Sequence, residues 1–380
     1  MASSTKPQTR QDIVIHRQGG RGIFSVNCLI PIFFLATIIT ALLIIMGEAQ
    51  PAQVPMASTS KTPTKYLEYS IVEGYFQQSD PVTEDKNFDY TKVNFGLVDR
   101  SYEVDGEIQD QTKTQWERFE LEVARLNRES EADVQYKVLF MGRHGEGYHN
   151  LAEAFYGTHD WDCYWSLQNG NSTTTWSDAL LTPTGESQAL AAHAFWKHQL
   201  TTQSQPSPQT YYTSPLLRCL RTAFLTFTDL PLPPSQPFKP LIKELIREAI
   251  GVHTCDRRSS KSIIAKAYPE WEFEEGFTEG DEWWDAELRE SDEAMDRRLR
   301  MGMDQIFGGD GSTWISISSH SGAIGAILRV FKHRKFALGT GQVIPVFVRA
   351  EEVIGEGPPR EKGPYTTVPT CSKPPDPTPA

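Results

Sequence analysis

Two histidines and two arginines stand where apolar runs end, in settings that suit a ligand better than a core. The run Tyr136-Lys137-Val138-Leu139-Phe140-Met141 reads as a buried strand and leads directly into Gly142-Arg143-His144-Gly145-Glu146-Gly147. Glycines around one imidazole let the chain turn sharply and bring main-chain N–H groups close to a bound molecule. Thr210-Tyr211-Tyr212-Thr213 is a second short strand, followed at once by Ser214-Pro215-Leu216-Leu217-Arg218. That sequence opens a helix and sets Arg218 in its first turn, where free N–H groups and the helix dipole attract an anion. A third strand, Leu241-Ile242-Lys243-Glu244-Leu245, leads to Ile246-Arg247-Glu248, and a fourth, Trp314-Ile315-Ser316-Ile317-Ser318, ends in Ser319-His320-Ser321-Gly322.

Brought together, these side chains suit one kind of chemistry. Two guanidiniums and two imidazoles form a pocket for a tetrahedral dianion. An imidazole can attack phosphorus itself, which splits hydrolysis into two easier steps. Phosphoryl transfer needs in-line positioning and charge neutralisation, and Arg side chains supply both. A carboxylic acid must protonate the departing oxygen and later, as carboxylate, activate water; Glu248 is the candidate. The scheme calls for no metal and no cofactor.

The elements that must position this set alternate in type. Trp116, Phe119, Val123 and Leu126 form the stripe of an amphipathic helix before the first strand. Leu181-Thr182-Pro183-Thr184-Gly185-Glu186 starts another helix, with Thr182 as cap and Pro183 in the first turn, and Ala189, Ala192, Trp196 and Leu200 as its apolar face. Leu217, Leu220, Phe224 and Phe227 make the next stripe, and Met295, Leu299, Met303 and Ile306 the last. Helices alternating with strands imply an α/β fold: a three-layer α/β/α sandwich on a mostly parallel mixed sheet, with the ligand beyond the carboxyl ends of the strands.

The same residues carry a family resemblance. Arg143-His144-Gly145 with Asn150 six positions after the His resembles the signature of the histidine phosphatase superfamily, the phosphoglycerate mutase-like proteins. Leu181-Thr182-x-x-Gly185-x-x-Gln188-Ala189, Ser214-Pro215-x-x-Arg218, Glu248 with Gly251, Asp256 and Arg258, and Ser319-His320-x-Gly322 are similar to its later elements, in the same order. The stretch from Arg143 to Asn150, with Gly251-Val252-His253-Thr254-Cys255-Asp256, looks closest to the fungal phosphomutase-like branch. The resemblance implies a phosphoglycerate mutase-like fold, with His144 as phospho-accepting nucleophile and Glu248 as proton donor. It implies Arg143, Arg218 and His320 as ligands of the phosphoryl oxygens and Asn150 as an auxiliary donor. The branch that carries its acid as an Asp directly after the second His is disfavoured, because Ser321 stands there. The expected activity is metal-independent hydrolysis of a small phosphorylated metabolite through phosphohistidine. A mutase using the same residues is the first alternative, and a pseudoenzyme that binds a phosphorylated ligand the second.

Other clusters are weaker. His149, His159, Asp160 and Asp162, and again His253 with Cys255 and Asp256, match no established metal-ligand spacing, and no metal site is expected. Arg257, Arg258 and Lys261 offer either a grip on a second anionic group or a solvated helix face. The acidic, Trp-rich stretch from Glu270 to Glu293 reads as a lid-like or helical insertion near the pocket mouth, or more simply as a charged solvated face. Asn171-Ser172-Thr173 is a glycosylation acceptor if the domain is lumenal, and under the same condition Cys163, Cys219, Cys255 and Cys371 can pair in three ways.

Composition and the two ends bound the rest. In 380 residues there are 37 basic and 49 acidic side chains, a net charge of −12 that argues against a nucleic-acid partner. Nine Trp, nineteen Phe and thirteen Tyr are enough for a sizeable core, which excludes wholesale disorder. Cys28 to Met46 carries no charge and is long enough to cross a hydrocarbon core of about 30 Å as a helix. Lys6, Arg10, Arg17 and Arg21 precede it, so residues 23–47 are expected as a signal-anchor of a single-pass, type II membrane protein with residues 1–22 cytoplasmic. A cleaved signal peptide, and a cytoplasmic product starting at Met56, are the alternatives. Residues 48–65 then form a linker, residues 66–350 the catalytic domain and residues 351–380 a Pro-rich, disordered tail.

Overall fold

The computed structural model describes residues 64–110 and 112–375. In chain order the strands and helices are β1 (Lys65–Ile71), α1 (Gln115–Glu129), β2 (Val134–Arg143), α2 (Tyr148–Tyr156), α3 (Thr158–Cys163), α4 (Pro183–Thr202), β3 (Thr210–Thr213), α5 (Leu217–Phe227), β4 (Pro240–Ile242), α6 (Lys261–Ala267), β5 (Glu272–Phe273), β6 (Leu288–Glu290), α7 (Asp292–Gly309), β7 (Trp314–Ser319), α8 (Ser321–Val330), β8 (Val343–Ile354) and β9 (Tyr365–Thr367). A seven-stranded sheet runs in the order β1-β8-β2-β7-β3-β4-β5. From β2 to β5 every pairing is parallel, while β8 runs antiparallel to both β2 and β1.

The layers follow from the two-residue period of the strands. Leu139 and Met141 of β2, with Ile315 and Ile317 of β7, join Met295, Leu299, Met303 and Ile306 of α7 and Ile324, Ile327 and Leu328 of α8 on one face. Val138 and Phe140, with Trp314, Tyr211 and Phe347, join Trp116, Phe119 and Val123 of α1, Trp196 of α4 and Phe227 of α5 on the other. Both faces of the parallel strands are therefore covered, as parallel sheets require. Thr114 caps α1 by accepting from the Glu117 N–H while Glu117 accepts from the Thr114 N–H, a reciprocal pair that fixes where the stripe begins. Thr182 caps α4 one way only, its hydroxyl accepting from the Gly185 N–H, with Pro183 opening the helix.

Several expectations change. The third strand stops at Ile242, because Glu244–Ile246 closes into a 3₁₀ turn whose Glu244 carboxylate is held by Arg247 and Arg258. Phe224 leaves the stripe of α5 and is 36% exposed. The stretch from Glu270 to Glu293 carries β5, a loop, β6 and the first residues of α7, with no helix of its own between β5 and β6. The chain beyond Ala350 does not trail away as far as it is described: β8 continues to Ile354, β9 pairs with β6, and Cys371 closes a disulfide with Cys163. None of the three full pairings open to the sequence is formed: Cys163 joins Cys371, and Cys219 and Cys255 stay free and buried.

The expectation of a membrane protein is overturned. No helix among the described residues is long and apolar enough to cross a membrane. The longest, α4, spends much of its length on polar side chains and buries one stripe against the sheet. The segment on which that expectation rested, residues 23–47, lies outside the described residues, and the anchored, type II topology is withdrawn.

Candidate active site

The carboxyl ends of β2, β7 and β3 lie side by side, and they deliver the residues singled out above. His144 follows β2 directly, and its main-chain N–H donates to the Ser319 carbonyl at the end of β7 (3.0 Å). The turn after it is built by contact between two glycines. A Cβ on Gly145 would meet the Gly185 carbonyl oxygen at 2.2 Å, and one on Gly185 would meet the Glu146 carbonyl oxygen at 2.1 Å. The first and second sequence elements are thus packed backbone to backbone, which explains why each needs its glycine. The Gly145 N–H donates to Thr222 Oγ1 of α5 (3.0 Å), and the Glu146 N–H to Gln188 Oε1 of α4 (2.8 Å).

The His144 ring is 2% exposed, and its Nδ1 lies 2.7 Å from the Gly145 carbonyl oxygen. A carbonyl only accepts, so Nδ1 carries the proton and Nε2 carries the lone pair. Burial, with Arg218 and Arg143 close by, holds this imidazole well below the ordinary histidine value, so at neutral pH it is uncharged. The His320 ring centre is 5.1 Å away, at the start of α8, and its Nε2 is 2.8 Å from Ser214 Oγ. Burial, then Arg218, keeps His320 neutral too.

Both guanidiniums are anchored by protein acceptors and keep one buried N–H without a partner among the described residues. Arg143 Nη1 donates to the Leu338 carbonyl (2.7 Å), and its buried Nε has no partner. Arg218 Nη1 donates to the Cys255 carbonyl (2.6 Å) and Nη2 to Asp256 Oδ1 (3.0 Å), while its Nε is also buried and unpartnered. Burial opposes the charge on Arg218, but Asp256 and the other groups around it, Asp178 among them, together more than offset this and raise its pKa. These orphaned donors are what a site for a tetrahedral oxyanion requires.

Glu248 reaches the same region from the chain after β4. Its Oε2 accepts from the Gly322 N–H in the first turn of α8 (3.0 Å), and its Oε1 from the Ala249 N–H (3.0 Å). A Cβ on Gly322 would stand 2.1 Å from Oε1, so the glycine two residues after His320 makes room for this carboxylate. The main chain of this segment is held from behind. Arg298 of α7 donates to the carbonyls of Leu245, Arg247 and Glu248 (2.8, 3.1 and 3.0 Å) and pairs two-fold with Glu290 (2.7 Å each).

Of the predicted site residues, His144, Arg143, Arg218, His320 and Glu248 come together at these strand ends. Asn150 Oδ1 accepts from the Gly147 N–H (3.0 Å) and so shapes the start of α2, a bond that does not engage the Nδ2–H2 group expected to donate. Arg258 is neither an anion grip nor a solvated face, since it is 4% exposed and its Nε donates to both Glu244 oxygens. Arg257 donates to Asn169 Oδ1 (2.9 Å) and lies over the Trp284 ring. His159, Asp160 and Cys163 do approach one another, but the Cys163 sulfur is spent in the disulfide. His253, Cys255 and Asp256 also cluster, yet Asp256 already pairs with Arg218 and Arg289, an electropositive setting hostile to a cation. The sequence reading missed Asp256 as the partner of Arg218. The pairing joins residues 38 apart, and no local spacing signals it.

Residues 139–341 match the histidine phosphatase superfamily (branch 1). Among curated proteins, the chain is 52% identical over 286 residues to a "Probable phosphoglycerate mutase" of Arthroderma benhamiae, covering 75% of this chain and 85% of that one. It is 35% identical over 284 residues to "Phosphomutase-like protein 3" of Candida albicans, covering 74% and 80%. Among solved structures, a phosphoglycerate mutase from Thermus thermophilus aligns with 55% of this chain and 91% of its own, at 19% identity and a TM-score of 0.30.

Proposed function

The chain belongs to the histidine phosphatase superfamily, branch 1, and on that premise we propose that it hydrolyses small phosphomonoesters through a phosphohistidine on His144. Phosphoryl transfer of the phosphatase or mutase type is the activity of the family. The observation that carries the finer reading is the His144 tautomer: Nδ1–H is committed to the Gly145 carbonyl, and the unprotonated Nε2 has no partner among the described residues, beside two guanidiniums whose Nε–H groups likewise have none there.

In the first step the Nε2 lone pair attacks phosphorus in line with the ester oxygen. The N–P bond forms as the P–O bond breaks, and the protonated Glu248 carboxyl gives its proton to the departing alkoxide. Arg143 and Arg218 donate to the non-bridging oxygens, and His320 adds a neutral contact. In the second step the Glu248 carboxylate takes a proton from water, whose oxygen attacks phosphorus and returns Nε2 as leaving group. Inorganic phosphate and the reset acid are the products. The catalytic domain in this reading is residues 66–350.

A mutase would use the same groups, and the names of the fungal relatives favour it. It would also have to hold a second anionic group of its substrate while the phosphoenzyme waits. Of the three cations that the sequence offered for this, Arg258 is spent on Glu244, while Arg257 and Lys261 are tied to the Asn169 amide and the Phe277 carbonyl. That supports hydrolysis. The deciding assay presents several sugar phosphates and phosphoglycerates and measures free phosphate against isomer. Stoichiometric phosphate with no isomer is expected; isomer with little free phosphate would make the protein a mutase.

A further inference from the structure

His149, the second residue of α2, has no role in the steps above, yet it sits against them. Its ring is 8% exposed, and its centre lies 5.3 Å from that of His144. Neither ring nitrogen has a hydrogen-bond partner among the described residues. Nδ1 is sealed from solvent, and the Gly147 backbone closes on it so tightly that a Cβ there would stand 2.6 Å away. A buried polar atom without a partner costs stability, and an apolar side chain of the same shape would avoid that cost. An imidazole retained in this place points to a ligand.

The tautomer follows from the surroundings. Burial, then Arg218, His144 and Arg143, holds His149 well below the ordinary histidine value, so it is neutral and has one ring proton. The enclosed Nδ1 has no acceptor to receive that proton, which therefore belongs on Nε2, the nitrogen that is not sealed. Neighbouring imidazoles are thus in opposite states: His144 presents a lone pair from Nε2, and His149 presents an N–H.

We propose that His149 is a phosphoryl-contacting residue, whose Nε2–H donates to a non-bridging oxygen of the bound phosphomonoester. The proposal rests on the phosphoryl-transfer reading of the site and adds to it a ligand that the five converging residues do not include. Arg143 and Arg218 already match the two negative charges of the substrate. A neutral donor adds a hydrogen bond without excess positive charge, so it orients the phosphoryl group and does not trap the product phosphate.

The test is equilibrium binding of inorganic phosphate and orthovanadate to the full-length protein and to two variants. His149→Phe keeps the shape and removes the donor; His149→Gln keeps a donor. Phosphate and vanadate should bind His149→Phe tenfold or more weakly, and His149→Gln within about threefold of wild type. Wild-type affinity in a folded His149→Phe overturns the proposal. Should that variant not fold, the imidazole ¹⁵N signals of the wild-type protein decide: Nε2 of His149 must shift when phosphate is added, and an unmoved signal overturns the proposal. Binding is read without turnover, so a protein that binds phosphate through His149 but never forms a phosphoenzyme would sink the hydrolytic mechanism alone. A wild-type protein that binds neither anion sinks both.

Discussion

Replacing Gly322 by Ala should disable the acid without harming the fold. The added Cβ would stand 2.1 Å from Glu248 Oε1 and 3.0 Å from its Cδ, where Cβ contacts under 3.0 Å are essentially never found. The carboxylate must therefore retreat by about 1 Å, and a misplacement of that size at a reacting group costs on the order of 10²-fold. Relief is cheap because the atom that moves is the end of a flexible side chain. Two terms then oppose each other in stability: Gly→Ala in a helix gains up to about 1 kcal/mol, and weakening the Gly322 N–H to carboxylate bond loses about 1.5–3 kcal/mol. The net change is a loss of roughly 1–2 kcal/mol, a few degrees in Tm. The assay compares kcat/KM on an alkyl phosphate and on p-nitrophenyl phosphate, whose phenolate leaves with little protonation. About a hundredfold loss is expected on the alkyl ester and less than tenfold on the aryl ester, with Glu248→Gln showing the same split. Equal losses on both, in either variant, would refute the role given to Glu248.

Gly145→Ala should behave in the opposite way: its Cβ would meet the Gly185 backbone at 2.2 Å, which cannot yield as a side chain does, so a stability loss of about 3 kcal/mol or more is expected in urea unfolding. His144, His149 and His320 are all buried with pKa values depressed first by desolvation, so the folded protein binds fewer protons than the unfolded chain once pH drops below about 6.5. Stability should be full above that pH and fall progressively on acidification; a flat profile from pH 8 to 5 would contradict it. Cys371→Ser opens a bridge between residues 208 apart, for which the chain-entropy relation gives a loss of up to about 5 kcal/mol. A Tm unchanged from wild type would show that the described tail adds nothing to stability.

What could be read from the sequence was what depends on near neighbours. A buried run followed by Arg143-His144-Gly145 must place an imidazole at a strand end, because the strand, the turn and the residue are contiguous. The same holds for Ser214 to Arg218 and for Ser319 to Gly322. Glu248 was legible by position although its strand was drawn too long, since the 3₁₀ turn at Glu244 depends on Arg247 and Arg258 closing around one carboxylate. The support was not legible. Asp256 under Arg218, Arg298 behind the Glu248 main chain, and Cys163 joined to Cys371 are pairings over 38, 50 and 208 residues. His149 was grouped with His159 and Asp160, its neighbours in sequence, whereas its neighbour in space is His144.

One measurement bears most directly on the chemistry assigned to His144. Rapid-quench mixing of active protein with a ³²P-labelled phosphomonoester should trap label on His144 at Nε2, labile to acid and stable to base. The adduct should form and decay at rates that account for turnover, and His144→Ala should carry none. Turnover without any labelled histidine, or label that persists in His144→Ala, would contradict the mechanism.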